Sequence, residues 1–207
     1  MSNLSFGFKA FIKESIDVLI NTKSYFSKMK TTGGVAEPLI KALIYGAVAG
    51  IIGFLWNLVD LGGPVIGSIS GFMIIIWFII GTIVGLFVGA VLLYIISGIC
   101  RGSKDYEANV RVIAATLVLF PFNVLLSFTG GLNVIAGIVI MLAIDFFALY
   151  LLYHGLIQTL KANPVSVKIV IILLAILSTL LISYKPLKMY YKAKSINKEL
   201  KENFLKK

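Results

Sequence analysis

Asp145, Thr116, Arg111 and His154 are polar or ionisable residues that lie within or beside long apolar runs of the chain. An ionised carboxylate in hydrocarbon costs several kcal/mol unless it is paired, hydrated or protonated, so Asp145 requires a partner. Two roles fit this residue: an intramembrane proton or cation site, or a structural acid that is hydrogen-bonded locally. The structural role is favoured, with Thr116 or the backbone carbonyl freed by Pro121 as its partner.

The spacing of these residues argues against hydrolytic and metal chemistry. Asp145 and His154 are nine residues apart, which at about 100° per residue places them on opposite sides of one helix. His154 is the one histidine and Cys100 the one cysteine, whereas catalytic zinc needs several such ligands. The sequence contains no Walker loop, dinucleotide-binding glycine fingerprint or kinase motif. We therefore expect no enzyme activity, cofactor or metal.

Arg111 and Glu37 are charged residues at the ends of apolar runs. Arg111 is expected to anchor its helix at the cytoplasmic side, with an i,i+4 contact to Glu107, rather than to bind a substrate. Glu37 is expected to pair with Arg111 or Lys41 and to hold the turn before the first membrane span. If the third and fourth spans fold back on each other about a glycine turn over 129–133, Arg111 also comes within reach of His154.

The composition indicates an integral membrane protein. Hydrophobic residues make up 59% of the chain and the mean hydropathy is +0.99, which leaves too few polar side chains to coat a soluble globule. The 19 Lys and Arg against 9 Asp and Glu resemble a nucleic-acid-binding composition, but basic residues at the ends of apolar runs are typical of membrane anchoring. We expect the lipid bilayer as a partner, anionic lipid at the basic helices, and no nucleic acid.

Hydrophobic periodicity predicts an all-α polytopic membrane bundle with about five transmembrane helices. An amphipathic segment over 1–37 precedes a membrane domain over 38–184, and a basic amphipathic helical tail covers 185–207. The predicted spans, each long enough to cross about 30 Å of hydrocarbon, are 38–59, 69–99, 110–128, 133–158 and 166–184, with a connecting loop over 60–70. The N-terminal helix is expected either to lie in the headgroup plane or to pack across the ends of the bundle.

Glycine and proline mark turns and kinks along this pattern. Gly33 and Gly34 end the N-terminal helix, and Pro38 suits the first turn of the next helix, where its missing N–H costs nothing. Pro121 lies inside the third span, where it removes one hydrogen bond and clashes with the carbonyl four residues earlier. A kink is therefore predicted near that position.

Gly81, Gly85 and Gly89 repeat every four residues in the second span. Such a series removes side chains from one face of a helix, so that another helix can approach closely. Packing inside the bundle is expected at this face, and contact with a second copy is the alternative.

The distribution of basic residues predicts a cytoplasmic N-terminus. Six Lys lie in the region through Lys41, three Lys and Arg lie in 101–111 and two lie in 161–168, whereas the other two short loops have none. Five crossings carry the eight lysines of 185–207 to the outer side, against the same rule. A true fifth span is expected, with a re-entrant fifth segment as the alternative.

Residues in a fixed order along this pattern resemble the Yip1 domain family. They are Tyr25-Phe26, Gly33-Gly34, Pro38-Leu39, Gly102, Tyr106, Arg111-Val112-Ile113-Ala114, Phe120-Pro121, Tyr150, Gly155-Leu156, Ser166 and Lys168. The correspondence covers roughly residues 20 to 183. This resemblance implies five membrane helices and a cytoplasmic N-terminus.

The resemblance also limits what can be expected of function. Eukaryotic members of the family act in vesicle traffic between endoplasmic reticulum and Golgi and associate with prenylated Rab GTPases. Those members carry an Asp-Leu-Tyr-Gly-Pro motif before the first span, where this chain has Gly34-Val35-Ala36-Glu37-Pro38-Leu39, and a long cytoplasmic head that this chain lacks. Rab binding is therefore not transferred, and a prokaryotic-type member in a cell membrane is expected.

Two hypotheses of function follow. The first is a non-enzymatic membrane scaffold or adaptor that acts through helix packing with itself or with another membrane protein. The alternative is a small transporter or channel that uses Asp145 as its proton or cation site.

Overall fold

The computed structural model describes residues 7–59 and 71–205, and within these ranges the chain is helical with no strand. In chain order the helices are α1 (Phe8–Ile20), α2 (Thr22–Lys28), α3 (Ala36–Leu58), α4 (Met73–Ile99), α5 (Tyr106–Thr116), α6 (Leu119–Leu126), α7 (Phe128–Leu132), α8 (Val134–His154), a π-helical turn (Gly155–Thr159) and α9 (Pro164–Leu205). The all-α prediction is confirmed. The predicted loop over 60–70 lies outside the described residues.

Within residues 7–59 and 71–205, five helical segments are long and apolar enough to cross a membrane, as the sequence predicted. They are Ala36–Leu58, Met73–Ile99, Tyr106–Leu132, Val134–Thr159 and Pro164–Tyr184. The third begins four residues before the predicted start at 110, because Asp105 caps it by accepting a hydrogen bond from the Glu107 N–H at 3.0 Å. Asn133 and Asn163 cap the fourth and fifth spans in the same way.

Pro121 breaks the third span, as predicted. α5 ends at Thr116 and α6 begins at Leu119. Pro121 has no N–H to offer the carbonyl of Leu117, and that carbonyl instead accepts a hydrogen bond from the Phe120 N–H at 3.0 Å. The carbonyl of Leu117 is therefore hydrogen-bonded within the same span and is not free to bind another group.

The reversal between the third and fourth spans differs from the prediction. Gly130 and Gly131 belong to the short helix α7 rather than to a turn. The chain turns at Asn133, whose φ of −149° and ψ of 116° are extended. Gly137 of α8 is the glycine that the packing requires, because a Cβ at this position would lie 2.5 Å from the Cα of Gly130, whereas a Cβ at Gly130 would meet nothing within 4 Å. Gly137 thus allows close backbone contact between α7 and α8.

α3 and α4 pack with their backbones nearly touching. A Cβ at Gly50 would lie 2.8 Å from the Cα of Ile75, and one at Gly46 would lie 3.0 Å from the Cα of Ile79. No side chain fits into either space. Two glycines four residues apart therefore bring the first two spans together.

One end of the bundle gathers the loops that join the spans. The Asn163 N–H donates to the carbonyl of Cys100 at 2.8 Å, and the Ser103 N–H donates to the carbonyl of Leu160 at 2.7 Å. Cys100 is fully buried there, and this burial raises the pKa of its thiol, in keeping with an apolar filler. α1 and α2 cover this end of the bundle. We call these two helices the cap, and this end the cap side.

α9 leaves the cap side and runs unbroken from Pro164 to Leu205, with Pro186 inside it. This helix is continuous over 42 residues and does not turn back on itself, as the re-entrant alternative would require. The tail predicted over 185–207 is helical as far as Leu205.

The N-terminal helices pack across the ends of the spans, which is one of the two arrangements that the sequence left open. Phe11, Val18 and Phe26 are buried against the bundle. The Thr159 hydroxyl in the π-helical turn donates to the carbonyl of Phe26 at 2.7 Å. A Cβ at Gly155 would lie 2.5 Å from a methyl carbon of Val112, so this glycine is required for the close packing of the π-helical turn against α5; its distance from the Phe26 ring, 3.5 Å, would be an ordinary contact.

Candidate functional site

Five charged side chains from three helices meet beneath the cap, and we call them the rim cluster: Glu14 of α1, Glu37 and Lys41 of α3, and Glu107 and Arg111 of α5. Arg111 Nη1 lies 2.9 Å from Glu37 Oε2, and Arg111 Nε lies 3.1 Å from Glu107 Oε1. Lys41 Nζ lies 2.9 Å from Glu37 Oε1 and also contacts Glu14. The predicted pairing of Arg111 with Glu107 is formed. Glu37, predicted to pair with either Arg111 or Lys41, contacts both.

Both cations of the cluster are almost fully buried, with side-chain exposures of 7% for Arg111 and 10% for Lys41. A buried charge is tolerated only when it is paired and hydrogen-bonded. Each cation here has two carboxylate partners. The cluster is therefore a self-compensated structural unit that joins the cap, the first span and the third span.

The paired glycines before α3 complete the cluster through their backbone. Arg111 Nη2 donates to the carbonyl of Gly34 at 2.9 Å, and the Gly34 N–H donates to Glu107 Oε1 at 2.6 Å. Gly33 and Gly34 have φ values of 130° and 85°, which L side chains rarely adopt. A Cβ at Gly33 would also lie 2.9 Å from Arg111 Nη2. These glycines are thus required both for the turn and for the approach of the guanidinium.

Glu14 extends the cluster into the cap. Its Oε1 accepts a hydrogen bond from the Tyr25 hydroxyl at 2.6 Å, and Tyr45 bonds to Ser15 at 2.8 Å. Burial, together with the Glu14 carboxylate, raises the pKa of the Tyr25 phenol well above its usual range, so the phenol remains a neutral donor. Sequence reasoning missed Glu14. Its one signal was that it interrupts an otherwise apolar run.

Asp145 does not find its predicted partner. Its Oδ2 atom is buried and has no hydrogen-bond partner among the described residues. The Thr116 hydroxyl donates to the carbonyl of Ile113 at 2.8 Å, and the carbonyl of Leu117 is occupied by Phe120. The predicted pairing of Asp145 with Thr116 or with the break at Pro121 is therefore wrong.

His154 lies apart from the rim cluster. Its ring meets the ring of Tyr150 edge-on, with centroids 4.6 Å apart, and its Nδ1 atom is buried without a hydrogen-bond partner in the described ranges. Arg111 does not reach His154, because the Arg111 guanidinium donates to Glu37 of α3 and to the carbonyl of Gly34. The four predicted polar residues thus occupy separate environments, and the structure does not assemble them into one site.

The glycine series of α4 is only partly used inside the bundle. A Cβ at Gly89 would lie 3.2 Å from a methyl carbon of Ile113, so this position packs internally as predicted. Gly81 and Gly85 are exposed, and a Cβ at either would meet nothing within 4 Å. The prediction of internal packing is therefore wrong for these two residues.

Across residues 7–59 and 71–205, no group of three or more His, Cys, Asp or Glu is arranged to hold a metal ion. The carboxylates that do converge, in the rim cluster, are already bound to Lys41 and Arg111.

No curated protein and no solved structure matches the chain. The model of the Yip1 domain matches residues 16–184, which include the turn at Gly33 and Gly34, the break at Pro121, all five spans and every member of the rim cluster except Glu14. With most of its length matched, this chain belongs to the Yip1 domain family of multi-pass membrane proteins.

Proposed function

We propose that the protein is a non-enzymatic membrane scaffold or adaptor that packs against another transmembrane helix through the face formed by Gly81 and Gly85 of α4. The observation that carries the proposal is that this face is open, while its counterpart within the same molecule is occupied. Membership of a non-enzymatic membrane family supports a role of this kind.

Gly46 and Gly50 of α3 serve as an internal reference for Gly81 and Gly85. Both pairs have the same four-residue spacing. At the first pair α4 comes within 2.8–3.0 Å of the positions of the missing Cβ atoms, whereas the second pair faces open space. Helices in lipid associate through close backbone approach because lipid removes the hydrophobic drive for association. The face at Gly81 and Gly85 has the geometry for the same kind of contact.

The surroundings of these glycines favour a helix as the occupant. Val84 and Val88 flank the face and are 54% and 53% exposed. Their short β-branched side chains leave the face shallow and lose little rotamer freedom on packing. A second copy and another membrane protein both offer such a helix.

The cap side is proposed to face the cytoplasm of a prokaryotic cell. It carries 11 of the 19 Lys and Arg, and these include the basic residues nearest the start of the chain, which usually dominate orientation.

The proposal is tested by replacing both glycines with isoleucine in the full chain, reconstituted in liposomes and labelled for energy transfer between copies. We expect Gly81→Ile with Gly85→Ile to weaken association about tenfold, equivalent to roughly 1.4 kcal/mol. To test for a different membrane protein as the partner, the double variant and the unmodified chain are each cross-linked in native membranes and purified. The amounts of cross-linked partner protein are then compared.

Gly98→Ile is the matched control. Gly98 is in the same helix and a Cβ there also meets nothing within 4 Å, but it lies about 140° around the helix from Gly85. Equal association of the double variant and the unmodified chain, in both the transfer and the cross-linking measurements, would contradict the proposal.

Transport through Asp145 is the second candidate, and the buried, unpartnered Oδ2 atom favours it. Neither of the two clefts lined by residues of the cap includes Asp145. If the protein carries protons or cations, liposomes with the purified chain will show a flux that Asp145→Asn abolishes. Zero flux from both proteins would remove this candidate.

A further inference from the structure

A cleft of about 860 Å³ lies between the cap and the ends of the first and third spans. α1, α2 and the segment after them form one wall, and Glu37, Lys41 and Arg111 belong to the other. The volume is in the range of small-molecule sites, about 300–1,000 Å³. The cleft is therefore large enough for a headgroup-sized ligand.

The charge of the cleft is positive. Five cationic side chains line it, Lys13, Lys28, Lys30, Lys41 and Arg111, against the three carboxylates of Glu14, Asp17 and Glu37. The formal excess is two positive charges, and one remains when Glu107, which lies behind Arg111, is included. An anion is the ligand that this balance favours.

Three of these cations have no carboxylate partner. Within the described residues no Asp or Glu lies in ion-pairing distance of Lys13, Lys28 or Lys30, whereas Lys41 and Arg111 are held by the rim cluster. The carboxylates of Glu14 and Glu37 are occupied by the same two buried cations. The unpaired lysines can therefore bind an anion without breaking any ion pair, and Ser24 adds a hydroxyl to the lining.

The outer face of α1, beside this cleft, carries an exposed apolar stripe. Phe8, Ile12, Ile16 and Ile20 are all exposed and repeat every four residues. Lys13 and Ile16 are three residues apart and therefore neighbours on the helix surface. A basic edge next to an apolar stripe is the pattern of a helix at the headgroup level of a bilayer.

We propose that this cleft is a binding site for one phosphate group, held by Lys13, Lys28 and Lys30, of a phospholipid headgroup or of a soluble phosphate ester. The excess charge matches a single phosphodiester or phosphomonoester. The site is on the cap, away from Gly81 and Gly85, and does not depend on the scaffold role.

The test uses the full chain in neutral detergent, with binding followed by native mass spectrometry. The probes are phosphatidylglycerol, phosphatidylcholine of the same chain length, and glycerol 3-phosphate. The cleft variant carries Lys13→Gln, Lys28→Gln and Lys30→Gln. The matched control carries Lys9→Gln, Lys23→Gln and Lys104→Gln, which remove the same charge from exposed positions outside the cleft lining. Thermal unfolding checks that both variants fold.

We expect the cleft variant to bind the anionic probe at least about tenfold more weakly, and the control to change by less than about twofold. Binding of phosphatidylglycerol alone identifies a headgroup, and binding of glycerol 3-phosphate identifies a soluble ester. Equal losses in the two variants, no loss in the cleft variant, or no preference for any phosphate-bearing anion over phosphatidylcholine would each overturn the proposal.

Discussion

Arg111→Met is expected to lower the free energy of unfolding by about 3 kcal/mol, because removal of one partner of a buried ion pair leaves uncompensated charge. The change deletes the contacts to Glu37 and Glu107 and the hydrogen bond to the carbonyl of Gly34. Methionine keeps most of the side-chain length, so loss of packing is a minor part of the effect. The measurement is denaturant or thermal unfolding of the full chain in detergent.

Two further variants separate charge from geometry. Arg111→Lys retains the charge but cannot reach three acceptors with a planar fork, so an intermediate loss is expected. Arg101→Met is the matched control, since Arg101 is exposed and lies on the same side of the bundle; its effect should stay within about 0.5 kcal/mol. Equal stability of Arg111→Met and Arg101→Met would show that the rim cluster does not hold the cap to the spans.

Gly50→Leu is expected to destabilise the protein by about 3 kcal/mol or to prevent correct packing of the first two spans. Even the first side-chain atom would lie 2.8 Å from the Cα of Ile75 and 3.2 Å from the carbonyl oxygen of the same residue. Backbone of a neighbouring helix cannot move aside as a flexible side chain can, so α3 and α4 would have to separate. Unfolding measurements and a cysteine cross-link between the two helices report the change.

Gly98→Leu supplies the comparison, because the added side chain enters open space in α4. It should remain close to the unmodified protein in stability. Unimpaired cross-linking in Gly50→Leu would mean that α3 and α4 do not approach each other as closely as the structure places them.

The charged residues show which contacts a local sequence pattern can predict and which it cannot. The i,i+4 contact of Arg111 with Glu107 was predictable, because helix geometry alone makes such residues neighbours. The pairing of Glu37 with Arg111, 74 residues apart, was predictable only as a possibility at a shared membrane side. Glu14 escaped prediction, since its partners Lys41 and Tyr25 depend on how the cap folds back over the spans.

Asp145 shows the opposite case. Its intramembrane position follows from hydropathy, but its partner depends on how the third and fourth spans fold back on each other. The chain turns at Asn133 and the third span is broken before Pro121, and this arrangement leaves the Thr116 hydroxyl and the carbonyl of Leu117 bonded within their own span. Depth in a membrane is a property of one segment, whereas contact between two spans depends on the breaks and rotations of both.

The two glycine pairs, Gly46 with Gly50 and Gly81 with Gly85, separate what the sequence determined from what the tertiary structure decided. Length and hydropathy by themselves determined an all-α membrane protein with five spans, because crossing a bilayer requires about 20 apolar residues in a row. The order of family residues determined the Yip1 domain. Only the tertiary structure decided that Gly46 and Gly50 join two spans while Gly81 and Gly85 face outward, because both pairs carry the same local pattern and only the rotation of α3 and α4 in the bundle distinguishes them.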